Sequence, residues 1–224
     1  MALQGSDDIH ASAALRWSRG QQRRTLVPLL QRESARRALH VGVADDDAAP
    51  ALLGVMWTRL WLTGGDYHGD LRGHADAPLP FVDEAFDLVW LQHALEPAPH
   101  AAAMLGEACR VLAAGGVLAI TAVHPLGGWA PWFRWRARHQ HQSMQWPWRL
   151  RETLLAAGLD TEGVRRFGPF WPRGDGGDSH CGGVFLLLAR KRRLLATPIP
   201  LRPLPVGAPA NARWSPGTHR QTLP

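Results

Sequence analysis

The chain has 224 residues, 46% of them hydrophobic and 20% charged, and a formal net charge of +6. That is enough apolar material for one good core, most simply a single domain, and it excludes a fibrous or wholly disordered protein. Two cysteines, Cys109 and Cys181, exclude a disulfide scaffold, and the lack of a CxxC pair gives no metal framework. Residues 1–12 read as frayed. From Ala13 to Ala38, Leu15, Leu26, Leu29 and Leu30 lie among many Arg and Gln, which predicts one or two surface helices broken near Gly20 and Pro28. Leu39 to Val43 is the first predicted strand. Asp47 to Leu53 is at most a very short helix, interrupted by Pro50. Val55 to Leu62 alternates apolar and polar residues, a second strand ending at Thr63-Gly64-Gly65-Asp66. Only a turn separates it from Tyr67 to Arg72, so this half of the sheet reads as trimmed. Phe86 to Val123 predicts two central strands and the helix between them, Pro99 to Leu112, with Gly115-Gly116 as that helix's C-terminal cap.

A tryptophan-rich segment follows, Trp129 to Trp148, then a helix from Trp148 to Ala157 stopped at Gly158. Val164 to Phe167 and Gly183 to Ala189 predict an antiparallel pair at the sheet edge, joined by a Gly/Asp loop, Arg173 to Gly183. From Arg190 the chain is proline-rich and aperiodic, which predicts a disordered tail. The basic excess sits there. Residues 190–224 hold seven Arg or Lys and no acid, leaving 18 basic against 19 acidic groups in residues 1–189. The expected organisation is a folded domain over 1–189, with a lid segment over about 125–148, and a basic tail over 190–224. Met1 to His10 is polar with Asp7 and Asp8, unlike an export signal. The longest apolar run, Val111 to Val123, contains two glycines and is too short to span a bilayer. A soluble, cytoplasmic protein is expected.

The most informative stretch runs from Leu79 to Thr121. It reads Leu79-Pro80-Phe81, then Phe86-Asp87-Leu88-Val89, a helix ending in Arg110-Val111-Leu112, and Gly115-Gly116-Val117-Leu118. In order and spacing this resembles the second half of the class I S-adenosylmethionine-dependent methyltransferases, specifically the methyltransferase type 11 family. The resemblance implies an α/β fold with a Rossmann-like sheet, mostly parallel with an antiparallel edge strand, and S-adenosylmethionine as cofactor.

Carried onto this chain, the resemblance assigns a cofactor loop after the first strand. Its glycines let backbone approach the ligand, because glycine lacks the Cβ that would block contact. His40 stands where the family has an acid, Gly42 keeps the first glycine, Ala44 replaces the second and Asp46 the third. Asp45-Asp46-Asp47 brings negative charge near the cofactor carboxylate, opposing binding by on the order of a kcal/mol. The same acids could instead hold the cofactor's ammonium or cap the short helix. Asp66 is the candidate for the ribose hydroxyls, with an ordinary turn carboxylate as the alternative. Asp76, followed by Ala77 ahead of the Leu-Pro-Phe turn, is the candidate for the adenine amino group. Gln92 and His93, at the end of the fourth strand, lie where the cofactor and acceptor meet. His93 is a candidate general base, as is His124 after the fifth strand; hydrogen bonding to loop backbone is the alternative for both.

Trp129, Trp132, Trp135, Trp146 and Trp148 are interleaved with Arg134, Arg136, Arg138, His139 and Arg149, with no acid between Trp129 and Arg151. A lid over the acceptor, weak contact with an anionic membrane (shared with the basic tail), stacking and phosphate contacts to nucleic acid, and plain packing of the rings on the sheet are the readings for this segment. Three functions follow. The first is methyl transfer to a small-molecule acceptor, needing chiefly in-line placement and, where the nucleophile carries one, removal of a proton. The second is a catalytically inactive methyltransferase fold kept as a binding module. The third, a nucleic-acid methyltransferase, is disfavoured, so no nucleic-acid partner is expected. The chain lacks an Asn/Asp-Pro-Pro-aromatic tetrad for a flipped base, and its body is near neutral.

Overall fold

Apolar runs long enough to be buried on both faces form the middle of one sheet. The computed structural model describes residues 12–43, 50, 52–136, 138, 142–172 and 182–193. Strand β1 (Arg37–Gly42) is buried from Ala38 onward, and β5 (Phe86–Gln92) is buried at every position except Asp87. They pair in parallel, with β2 (Met56–Thr63) on the far side of β1 and β6 (Leu112–Val123) on the far side of β5. β3 (Asp66–Gly69), β4 (Gly73–His74), β7 (Leu159–Phe167) and β8 (Val184–Lys191) complete an eight-stranded sheet, ordered β4-β3-β2-β1-β5-β6-β8-β7. Its four central strands are parallel and both edges are antiparallel. This is the Rossmann-like class I arrangement expected.

Helices cover the two faces unequally. On one face, α2 (Ala101–Val111) and α4 (Pro147–Ala156) bury Met104, Leu105, Ala108, Leu150 and Leu154 against Val89, Leu91, Leu118 and Ile120. On the other, α1 (Ala13–Leu30) buries Leu26 and Leu30 against Leu88, Trp90, Val117 and Leu186. Asp87 is the exception in β5 because it faces out to accept the backbone N–H groups of Arg36 and Arg37, at 2.9 and 3.0 Å. Burial pushes its carboxyl up, but these two bonds and the nearby Arg charges more than offset that and hold it below the ordinary range. The start of β1 is thereby pinned to β5.

Several expectations change. The predicted break near Gly20 and Pro28 does not occur. α1 runs through both, capped by Ser12; Pro28 lies in its last turn, where it lacks the N–H that would donate to the Arg24 carbonyl, and the helix ends two residues later at Leu30. The helix is also less of a surface element than expected, since Ser18, Arg19 and Gln22 are buried. Gly115-Gly116 do not cap α2. The chain turns extended at Leu112, and both glycines lie inside β6, with Gly115 at φ 82° and a pairing irregularity opposite Phe86–Leu88. After β2 comes the turn expected, and it leads into a short strand, β3. Gly64 and Gly65, at φ 63° and 92°, form a two-residue hairpin closed by the Thr63–Asp66 pair. The segment Arg190–Arg193 belongs to the folded unit. Arg190 pairs with Glu33 at 2.8 Å, Lys191 donates to the carbonyls of Cys109 and Leu112, and Arg192 pairs with Asp160. By contacts the chain divides into residues 1–194 and 195–224, so the expected boundary moves past 189. Residues 195–224, expected as tail, lie outside the described residues, as does Cys181.

Candidate active site

Strands β1, β2, β5 and β6 all end on one side of the sheet, where open parallel sheets bind ligands. Gly42, Asp66, Gln92, His93 and His124 lie at or next to these strand ends, but the rim has two different parts.

The first part is a buried polar wall. Gln92 and His93 are fully buried, as is Glu96. One direction of donation satisfies every link. His40 Nε2–H donates to Gln92 Oε1 at 3.0 Å, Gln92 Nε2–H to Gln22 Oε1 at 3.3 Å, and Gln22 Nε2–H to the lone pair of His93 Nε2 at 2.7 Å. His93 Nδ1–H then donates to Glu96 Oε1 at 3.0 Å, which also accepts the backbone N–H of Val123 at 2.9 Å. Burial holds His40 neutral by lowering its pKa to about 4. The Gln92 bond opposes this, and the charges of Arg23 and Arg59 add to it. The His40 ring stacks on Trp90, centroids 4.5 Å apart. His93 is one of two non-glycine residues at positive φ among those described, at 55°. That left-handed conformation costs roughly 1–2 kcal/mol and is kept only where the surroundings impose it. Glu96 Oε2 and Thr121 Oγ1 are buried there without a hydrogen-bond partner.

The second part is open. Asp66 begins β3, its side chain 47% exposed, and shares Oδ1 with His74 Nδ1 at 2.6 Å. Asp76 is 66% exposed, and its carboxylate lies 3.9 Å from His100 Nε2. Ala77 is exposed and donates its N–H to the His74 carbonyl. Gly42 closes β1 in a buried position, while Ala44 and Asp46 lie outside the described residues. His124 is half-buried at the end of β6, and its Nδ1 accepts the N–H of Leu126 at 3.1 Å. Its Nε2 therefore carries the hydrogen. Burial first, and the Arg166 charge second, lower its pKa and keep it neutral. In this geometry His124 donates and His93 accepts, so the two histidines are not interchangeable.

Sequence reasoning missed Gln22, whose contact with His93 spans 71 residues, and Glu96. The spacing His93-x-x-Glu96 was the available signal for the latter. It also missed what the family motif does. Arg110 donates to the carbonyls of Leu79 and Phe81 and to the carboxylates of Asp83 and Glu107, at 2.7 to 3.0 Å. Glu107 in turn accepts the N–H of Leu79 at 2.8 Å. The Leu-Pro-Phe turn and the Arg-Val-Leu helix end are thus two sides of one clasp.

Of the tryptophans, Trp129 is fully buried and donates Nε1–H to the Pro169 carbonyl at 2.9 Å. It packs so closely on Gly183 that any Cβ there would collide with the indole. Trp135 and Trp148 are 60% and 53% exposed, with Arg138 and Arg149 over their respective rings. Among the described residues, no cluster of His, Cys, Asp and Glu could hold a metal ion, and no helix is long and apolar enough to cross a membrane.

Residues 63–120 match the family of the methyltransferase domain. Of solved structures, a Thermotoga maritima S-adenosylmethionine-dependent methyltransferase, described as a possible histamine N-methyltransferase, superposes with a TM-score of 0.58 at 16% identity, covering 80% of this chain and 92% of that one. A candidate sarcosine dimethylglycine methyltransferase from Galdieria sulphuraria gives 0.54 at 16% identity, covering 80% and 88%. A chain of the Haloferax volcanii complex between the Trm112 methyltransferase activator and its candidate methyltransferase gives 0.52 at 16% identity, covering 84% and 99%. No curated protein matches the chain. The chain thus has the fold of class I methyltransferases, with residues 63–120 matching a methyltransferase domain, and S-adenosylmethionine is the cofactor this fold implies. The open rim suits that group chemically. Asp66 and Asp76 are exposed carboxylates of the kind that accept hydroxyl and amino hydrogens.

Proposed function

We propose that the chain transfers a methyl group from S-adenosylmethionine to a small-molecule acceptor whose nucleophile carries a proton. The observation that carries this reading is the pairing, at one sheet rim, of exposed carboxylates with a buried imidazole whose Nε2 is an accepting atom, filled here by the Gln22 amide. When bound, the cofactor supplies an electrophilic methyl on a sulfonium, so the protein's part is placement and proton removal. Asp66 would hold the ribose hydroxyls, Asp76 and Ala77 the adenine edge, and Gly42 with Ala44 the methionine end, beside Gln92 and His93. His93 Nε2 takes the acceptor's proton, and the Nε2–H of His124 offers the acceptor a hydrogen bond. The segment over about 125–148 serves as the lid, hung on the buried Trp129. Its exposed Trp135 and Trp148, with their arginines, add a weak contact to anionic lipid. No nucleic-acid partner is part of this reading, and the protein is taken to work in the cytoplasm.

Calorimetric titration with S-adenosylmethionine should give saturable binding. S-adenosylhomocysteine should then accumulate with at least one acceptor from a panel of amines and phenols that begins with histamine, sarcosine and dimethylglycine. Absence of cofactor binding would overturn the proposal and leave the resemblance as one of fold.

A further inference from the structure

The buried wall assigns protons to atoms, and that assignment carries a role for two residues outside the proposed machinery. Imidazole is a base at only one nitrogen at a time, set by what its other nitrogen donates to. Here Nδ1–H faces Glu96, a carboxylate with no exposure. A charge-assisted acceptor outcompetes a neutral one at that position. Glu96 is itself fixed by the Val123 backbone N–H, and so ties the end of β5 to the end of β6. Nε2 is left as the accepting atom, and Gln22 of α1 occupies it with an amide N–H at 2.7 Å. Gln22 is free to donate there because its own oxygen is already taken by Gln92.

We propose that Glu96 is a positioning residue that holds His93 in its Nδ1–H form, and that the Gln22 amide occupies the place of the proton-bearing group of the methyl acceptor. The second half rests on the proposed methyl transfer; the first does not. It follows that the acceptor presents an N–H or O–H to His93, and that α1 shifts to admit it.

The test uses the full chain with 15N-labelled histidine and long-range proton–nitrogen correlations at pH 7.5, which separate the two tautomers without any cofactor. Wild-type His93 should be in the Nδ1–H form. Glu96→Gln, which keeps size and one acceptor oxygen but removes the charge, should shift the ratio at least tenfold towards Nε2–H. Gln22→Ala should leave the tautomer unchanged. Acetamide, replacing the missing carboxamide, should then perturb His93 Nε2 in Gln22→Ala and not in wild type. An Nε2–H wild type, or a ratio unmoved in folded Glu96→Gln, overturns the positioning role. If Glu96→Gln fails to fold, the wild-type tautomer still decides. A silent acetamide titration overturns the surrogate role of Gln22. Failure of cofactor binding in the separate titration would remove the reaction while leaving the tautomer result in place.

Discussion

The two halves of the sheet handle polar groups in opposite ways. From β5 to β8, charged and hydrogen-bonding side chains are spent on the chain itself. Arg110 clasps a turn, Glu96 joins two strand ends, and Lys191 caps the carbonyls at the end of α2. From β1 to β4, the helices that usually follow such strands are absent from the described residues, and carboxylates stand on an open rim. The family match, residues 63–120, spans the junction of the two halves. Its Leu-Pro-Phe and Arg-Val-Leu elements clasp the closed half, while the carboxylates proposed for the cofactor stand on the open one. A motif can thus be read for fold with more security than for ligand binding.

The sharpest way to break this contrast is to attack the closed half. Trp129→Ala should cost about 4 kcal/mol in denaturant unfolding, the range for a large buried aromatic, and a loss below about 1 kcal/mol would mean the indole is a movable lid element. Arg110→Ala should cost roughly 3 kcal/mol, because it strands the Glu107 carboxylate and two carbonyls at once. The Arg110 bond lowers the Glu107 carboxyl, with burial opposing, so the clasp's contribution is present above the ordinary carboxylate value and fades as pH falls below about 4. An Arg110→Ala protein as stable as wild type at pH 7 would show that the clasp is ornamental.

His40 lies at the seam between the halves and should give the chain an acid-sensitive window. With its pKa lowered to about 4, the unfolded chain binds a proton that the folded chain refuses. Stability is then complete above about pH 6.5 and falls by roughly 3 kcal/mol as pH drops through about 4. His40→Asn should flatten that window, and an unchanged slope would place its origin elsewhere. The open half should respond least in stability and most in binding. Asp76→Ala should weaken S-adenosylmethionine about tenfold, consistent with one lost hydrogen bond to a charged acceptor, with melting unaffected. Asp66→Ala should do less, since Asp66 already shares an oxygen with His74. The reverse order would move the ribose contact back to the end of β2.

Much of the closed half was legible from the sequence, because Phe86–Gln92 and Val117–Val123 are apolar enough to leave no alternative to buried parallel strands. Gly115-Gly116 misled because a glycine pair after a helical pattern fits a cap as well as a kinked strand. The β2–β3 hairpin had its signal in Gly64-Gly65, a dipeptide suited to two consecutive left-handed residues, but the strand after it is only four residues long. The wall around His93 was half legible. His40, Gln92 and His93 sit at strand ends, where their position in the pattern is informative. Gln22 looked like one more polar residue on a surface helix, and only the return of the chain after 71 residues buries it.

The strand order β6-β8-β7 also bears on how the protein is made. β7 leaves the ribosome before β8, yet β8 lies between it and the rest of the sheet. Until residues 184–191 emerge, β7 has no neighbour to pair with, and β6 keeps an open edge lined by Val117, Ala119 and Thr121. Such waiting edges are where nascent chains join the wrong partner. β7 is largely polar, with Asp160, Glu162, Arg165 and Arg166 along it, so of the two waiting strands it is the less able to aggregate, while the apolar β6, made earlier, waits longer. Slowing translation across residues 168–183 should therefore lower yield through the β6 edge, and making β7 apolar should lower it further by adding a second edge that aggregates.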